Sequence, residues 1–296
     1  MTARTASETR LSEADWVDRA SAYTRRADDV LAPHQRRRRA GQAHPVYDFL
    51  FTYYNVRPGR LRVWHPGYGV VLEGPAADRY LERSGYARVG GGVAVGRDHL
   101  NSRLGTVTFI ADLLRATASR PARFNCFGMH EWAMVYRASS VRHDRVPLRL
   151  GAAGTDAVVE SMPLRCSHFD AYRFFTEPAV ERNAARLTRD TQLAAEQPGC
   201  VHAGMDLYKW ALKLGPLVDS GLVLDCLQLA LDARVLDMRA SPYDLRAYDF
   251  EPIAVETPSG RAEYVRMQEV IAERAAPLRS RLLEHALMLQ QSATRA

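Results

Sequence analysis

The sequence predicts a mainly α chain with a minor β portion, folded as a single compact, helix-rich domain. Three observations carry that expectation. Apolar residues recur at helical spacing over long stretches, at 13–38, 220–238 and 258–296. Extended patterns are few and short, confined to valine- and glycine-rich segments such as 70–72 and 86–95. No repeat of fixed period and no low-complexity linker divides the chain, whose 296 residues suffice for one sizeable core.

Taken in order, residues 1–11 are polar and mixed in charge, and are expected to be disordered, leaving 12–296 as the catalytic domain. Ser12 is the expected N-cap of the first helix, with Asp15 at the third helical position and Trp16 beginning the apolar stripe. That helix covers 13–38, with Pro33 as a kink or break, and ends near Gly41. Pro45 opens a second helical segment. There Val46, Phe49, Leu50 and Tyr53 share a face while Phe51 and Tyr54 make other faces apolar, as in a buried helix. Arg57-Pro58-Gly59-Arg60 is a turn. A strand at 70–72, a short helix at 75–83, a hairpin at 86–95 and a helix at 100–118 follow. Segment 126–137 reads as helix, 142–150 as a loop feeding a short strand, and 156–160 as that strand's partner. Segment 165–175 is open between strand and helix. Helices are expected at 187–196, 200–214 and 220–238, the first broken by Pro198-Gly199 and the second stopped by Gly215-Pro216. A turn at 241–244, a short strand at 253–256 and a long, mainly surface helix from 258 complete the chain.

An apolar fraction of 47% with 25% charged residues is that of a soluble globular protein. No apolar run approaches the roughly 20 residues of a membrane span, and the first 18 residues lack the apolar core of a secretion signal. A cytoplasmic protein without a membrane partner is expected. The cysteines, Cys126, Cys166, Cys200 and Cys226, form no CxxC pair and are read as buried free thiols. The net charge of +6 is carried almost wholly by arginine, since Lys209 and Lys213 are the only lysines. The dense run Arg36-Arg37-Arg38-Arg39 suits an exposed helix end, where cations favour the dipole. A phosphate-binding patch is its alternative use.

Chemistry concentrates in three clusters that share Cys, His and a carboxylate: Cys126 to Glu131, Cys166 to Asp170, and Cys200 to Asp206. We read them as the walls of one buried polar site, because burying several ionisable groups is costly without a use for them. His202 and Asp206 stand four apart, on one helix face. His168 and Asp170 stand two apart, as in an extended segment or turn. Two histidines and a carboxylate are the ligand set of non-haem Fe(II) sites and of some zinc sites. The expected ligands are therefore His168, Asp170 and His202, with Asp206 the alternative carboxylate. His130, Glu131 and Asp206 are the expected catalytic acid/base groups. Two other uses stay open. Cys166 or Cys200 beside His168 or His202 could make a thiolate–imidazole pair, and a non-covalent haem could take His65, His130, His168 or His202 as ligand. Gly90-Gly91-Gly92 lacks the P-loop continuation. The aromatics of 49–54 and 172–175 pack a core or stack a planar substrate.

The strings HPVYDFLFTYY (44–54), FGMHEWAMVYR (127–137), PLRLGAAGTDAVVES (147–161), CSHFDAYRFF (166–175), CVHAGMDLYKW (200–210) and DMRASPYDL (237–245) resemble a family of actinobacterial proteins described as 3-methyladenine DNA glycosylases. The resemblance spans about 44–281. It implies hydrolysis of the N-glycosidic bond of an alkylated purine flipped into an aromatic pocket, in base-excision DNA repair. The glycine-rich hairpin and following Asp of helix-hairpin-helix glycosylases have no counterpart, Gly215-Pro216-Leu217-Val218-Asp219 included, so no catalytic residue carries over. Three readings result: a metal-dependent oxygenase or hydrolase acting on a small or planar substrate, a DNA glycosylase, and a ligand-binding protein.

Overall fold

The computed structural model describes residues 9–139 and 146–294. It is mainly α with a small four-stranded sheet, as the periodicity predicts. The helices are α1 (Glu13–Arg39), α2 (Phe49–Tyr53), α3 (Arg97–Ala118), α4 (Met129–Ala133), α5 (Gly151–Ser161), α6 (Phe169–Tyr172), α7 (Glu177–Val180), α8 (Gln192–Ala195), α9 (Val201–Leu214), α10 (Ser220–Arg239) and α11 (Pro258–Thr294). The strands are β1 (Thr9–Leu11), β2 (Val70–Leu72), β3 (Tyr86–Val89) and β4 (Gly92–Val95), in the order β1-β2-β4-β3. No helix among the described residues is long and apolar enough to cross a membrane.

The N-terminal helix forms for the reasons its sequence shows. The Ser12 hydroxyl accepts the Asp15 N–H at 3.3 Å, and Trp16, Ala20, Tyr23, Ala27 and Leu31 make one buried stripe. That stripe is anchored on the β side of the molecule: the Trp16 indole donates to the Glu73 carbonyl at 2.8 Å, and the Tyr23 hydroxyl to the Leu61 carbonyl at 2.5 Å. The helix continues through Pro33 to Arg39, and its last turn carries the four arginines.

Helices α9 and α10 are the centre of the fold. The chain reverses between them at Gly215, whose φ of +58° an L side chain adopts only with strain. Asp219 caps α10 by accepting the Gly221 N–H at 2.8 Å. The two helices therefore lie antiparallel, with the start of α9 beside the end of α10, and both are buried nearly all round. Helix α11 packs along α3, α9 and α10, burying Tyr264, Gln268, Ile271, Ala275, Arg279 and Leu282.

Several expectations are corrected. Thr9–Leu11, expected to be disordered, pairs in parallel with Val70–Leu72. Segment 156–160 belongs to α5, not to a strand; its β-branched Val158 and Val159 fill the buried face of a helix. Leu148 makes only an isolated bridge to Tyr243, and 142–145 lies outside the described residues. Only Met129–Ala133 of 126–137 and Gln192–Ala195 of 187–196 are α-helical. No strand forms at 253–256; α11 keeps most of its length at the surface, as expected, and buries one stripe against the core.

Candidate metal centre

The three Cys/His/carboxylate clusters meet at the start of α9. His202, on its first turn, lies between the other two histidines. Its ring centroid is 4.4 Å from that of His130, nearly perpendicular, and 5.3 Å from that of His168, nearly stacked.

His130 is delivered by a tight piece of backbone. Phe127 and Gly128 both take positive φ, +51° and +70°, and turn the chain into α4. A left-handed phenylalanine is unusual, and such residues gather where surrounding structure dictates an orientation. The Trp132 indole, completely buried, donates to the Ala240 carbonyl at 2.8 Å and ties α4 to the end of α10. His130 Nε2 then meets Asp237 Oδ1 at 2.5 Å, and its Nδ1 lies 3.8 Å from Cys126 Sγ. Asp237 Oδ2 accepts from Arg234 Nη1 at 2.9 Å and lies 4.0 Å from His202 Nε2. The same Arg234 nitrogen donates to Glu131 Oε1 at 2.7 Å, and its guanidinium covers the Phe49 ring at 4.0 Å.

The other half of the centre is built on His168 and Asp206. His168 Nε2 is 3.3 Å from Asp206 Oδ2 and 3.5 Å from Glu196 Oε1, near enough for charge attraction but outside good hydrogen-bond geometry. Asp206 accepts from the Tyr54 hydroxyl at 2.8 Å and from Lys209 Nζ at 2.7 Å. Lys209 also donates to Asp170, which accepts from Arg189 at 3.0 Å. Asp206 and Lys209 are three apart on α9, as Arg234 and Asp237 are on α10, so each helix carries a self-neutralising pair.

These contacts decide the protonation pattern. Burial opposes a charge on His130, but Asp237 outweighs it and holds the imidazolium well above its usual range. Burial likewise opposes a charge on His168, and Glu196 and Asp206 raise it. His202 is pushed down to about 3 by burial and by the repulsion of His130. Asp206 and Asp237 resist burial through their cationic neighbours and stay far below the usual carboxylate range. The surroundings thus disfavour a charge on His202 and favour one on the two histidines that flank it. Five carboxylates, Glu131, Asp170, Glu196, Asp206 and Asp237, face Arg173, Arg189, Lys209 and Arg234 and the rings of His130 and His168.

One ligand atom from each of His130, His202 and Asp237 lies within 4.8 Å of the others. A divalent ion about 2.1 Å from each atom bridges donors up to roughly 4 Å apart, so small side-chain adjustments suffice. The donor set, two imidazoles and a carboxylate, is that of Fe(II) or zinc. Of the ligands expected from sequence, His202 belongs to this group, and His130, expected as an acid/base group, stands in it as well. His168 stays beside the triad but addresses Asp206 and Glu196. Asp170 is held by Lys209 and Arg189, not by the triad, and Asp206 by Tyr54 and Lys209. Glu131 pairs with Arg234. The carboxylate that sequence reasoning missed is Asp237. Its signal was an Arg-x-x-Asp pair, Arg234 and Asp237, three apart on one helix face. His65, the other haem-ligand candidate, bonds Tyr86 at 2.9 Å.

Comparison of the chain with family models, curated proteins and solved structures finds no match.

Two cavities flank the triad and both touch His202. One, of about 20 Å³, is walled by Phe49, Tyr53, Tyr54, Phe174, His168 and Asp206. That holds about one water. The other, of about 10 Å³, is walled by His130, Cys126, Cys166, Cys200, Tyr264 and Gln268. Three of the four cysteines therefore gather in one place. Burial pushes Cys166 and Cys200 up, marking them as neutral packing thiols.

Proposed function

We propose that the chain is a metal-dependent enzyme that holds Fe(II) or zinc on His130, His202 and Asp237. The carrying observation is the convergence of two imidazoles and a carboxylate within 4.8 Å in a buried centre. An ion there supplies Lewis-acid chemistry, or dioxygen chemistry if it is iron. His168 is positioned to hold and release a proton beside that centre, since Asp206 and Glu196 keep it charged and it makes no full hydrogen bond. Lys209 and Tyr54 fix Asp206, and Arg234 fixes Asp237 and Glu131. Because His130 is bonded to Asp237, metal uptake displaces a proton from that pair.

The test is elemental analysis and an absorption spectrum of purified protein. Stoichiometric iron or zinc is expected, lost in His202→Ala and Asp237→Ala and kept in His168→Ala. Metal-free wild type after growth and dialysis in iron and zinc, or full metal in the first two variants, overturns the reading.

The family resemblance supports a second reading, hydrolysis of alkylated purines. The observation that favours it is the aromatic wall, where Phe49 and Tyr53 stack at 5.0 Å next to Asp206 and Asp170. That cavity holds about 20 Å³, so a base enters only if the wall opens. Release of 3-methyladenine from alkylated duplex DNA at low salt supports this reading, and its absence dismisses it.

A further inference from the structure

On the cysteine side, the small chamber continues outward. Cys126, Cys166, Ser167 and Gln197 line both that chamber and a surface cleft of about 410 Å³. The cleft lies in the size range of small-molecule sites, and the aromatic cavity is more than tenfold smaller. The rim of the cleft carries Arg123, Arg165 and Arg182, all exposed. Among the described residues no ion pair joins Arg123 or Arg165 to a carboxylate; Arg182 donates to the carbonyls of Val159 and Glu160, covers the Tyr136 ring at 5.7 Å and helps to hold the Glu160 carboxylate ionised. Elsewhere on the surface some arginines do pair with carboxylates, as Arg274 with Asp232 and Arg88 with Asp78. Among the described residues, two guanidiniums without a carboxylate and a third that shares Glu160 with Arg137 give this concavity a local excess of positive charge.

The floor is held rigidly. Asn183 accepts the Cys166 N–H at 2.8 Å and donates to the Cys166 carbonyl at 3.1 Å. Gln197 accepts the N–H groups of Arg123 at 2.9 Å and Gly199 at 2.8 Å, clamping the rim to the start of α9. A side chain on Gly199 has no room, since its Cβ would lie 2.8 Å from the Arg123 carbonyl oxygen. Deeper in, Gln268 is 1% exposed and lines the chamber with Oε1 unbonded, while its Nε2 donates to the Gly199 carbonyl. Polar groups prepared at both rim and floor, with His130 and His202 behind them, describe an approach to the triad.

We infer that the arginine-rimmed cleft is the substrate seat of the centre and that it takes a small phosphate ester. The phosphate meets Arg123, Arg165 and Arg182, and the organic part points past Cys126 and Cys166 toward His130 and His202, which it reaches only if the chamber of about 10 Å³ between them opens. Guanidinium forks match phosphate oxygens in geometry, and three of them suit a dianion better than a single carboxylate. The link to catalysis rests on the proposed metal centre; the binding does not.

The experiment is calorimetric titration of the full-length protein with glucose 6-phosphate, inorganic phosphate and citrate, with metal content measured on the same samples. Saturable binding of the sugar phosphate is expected, competed by inorganic phosphate and weakened by salt. Arg123→Ala/Arg165→Ala should weaken it at least tenfold with metal content unchanged; Arg165→Glu, a single exposed change, should do so as well. The inference is overturned by absence of phosphate binding, by equal binding to both variants, by tighter binding of citrate, or by a duplex oligonucleotide that binds more tightly than the sugar phosphate. Loss of metal with phosphate binding intact counts only against the proposed metal centre.

Discussion

Arg234→Met is the most informative single change at the centre. Arg234 is 1% exposed and donates to both Glu131 and Asp237. Methionine keeps much of the bulk over Phe49 and removes the charge. Without metal, two buried carboxylates lose their cation, and a loss of about 3–5 kcal/mol in stability is expected. With metal the sign reverses. The 2.9 Å hydrogen bond to Asp237 plus a metal–oxygen bond of about 2.1 Å puts the guanidinium roughly 5 Å from the ion. A dication and a monocation at that separation repel by about 1.7 kcal/mol at the dielectric constant of water and about 6.6 kcal/mol at a value of 20. The lower figure alone is more than tenfold in affinity. The variant should therefore unfold at lower urea in chelator, yet bind Zn(II) at least about tenfold more tightly in competition with a chromophoric chelator. Unchanged or weaker binding by folded Arg234→Met would refute a metal seat bounded by Asp237.

Three further outcomes are expected. Lys209→Met leaves Asp170 and Asp206 without their shared ammonium, so urea unfolding should show a loss of about 3 kcal/mol, while a change below about 1 kcal/mol would mean that Arg189 and Tyr54 compensate. Gly128→Ala forces a φ of +70° on an L residue and sets a Cβ 3.2 Å from that of Ala240, so thermal denaturation should report a cost of about 1–2 kcal/mol, with metal content reduced because His130 shifts. His65 is lowered to about 4 by burial and by Arg83, against an ordinary value of 6.5. Above pH 6.5 it is neutral folded or unfolded; between 6.5 and 4 the unfolded chain takes the proton first, so stability falls with pH by about 2–3 kcal/mol in all. Wild type and His65→Asn should therefore diverge in urea midpoint across that window, and parallel curves would remove His65 from the acid response.

Long-period features were legible in the sequence because they are local. Ser12 with Asp15 and Trp16 marked the start of α1, and Gly215 marked the end of α9. What failed depended on distant partners. Thr9–Leu11 is too short to show a period and becomes a strand only because Val70–Leu72 lies beside it. Val158 and Val159 read as strand residues in isolation, but both are buried on a helix face. The same division holds for the site. His130, His168 and His202 were found as unusual residues among aromatics, and they do stand together. Asp237 drew no attention and Asp170 was grouped with the histidines, because Lys209 and His130, which contact these carboxylates, are remote from them in sequence.

The antiparallel pair α9 and α10 carries one more consequence, for the order in which the chain folds. Closing two helices across a short turn costs little loop entropy, so this pair is expected to form early. Each arm reaches that encounter with its charges already matched, Asp206 to Lys209 and Arg234 to Asp237. No lone ion has to leave water when the arms meet. His130 and His168, brought in by segments far upstream, then dock onto a surface whose charge is already balanced. Substitutions in the helical pairs should slow folding, and those at the two histidines should mainly speed unfolding.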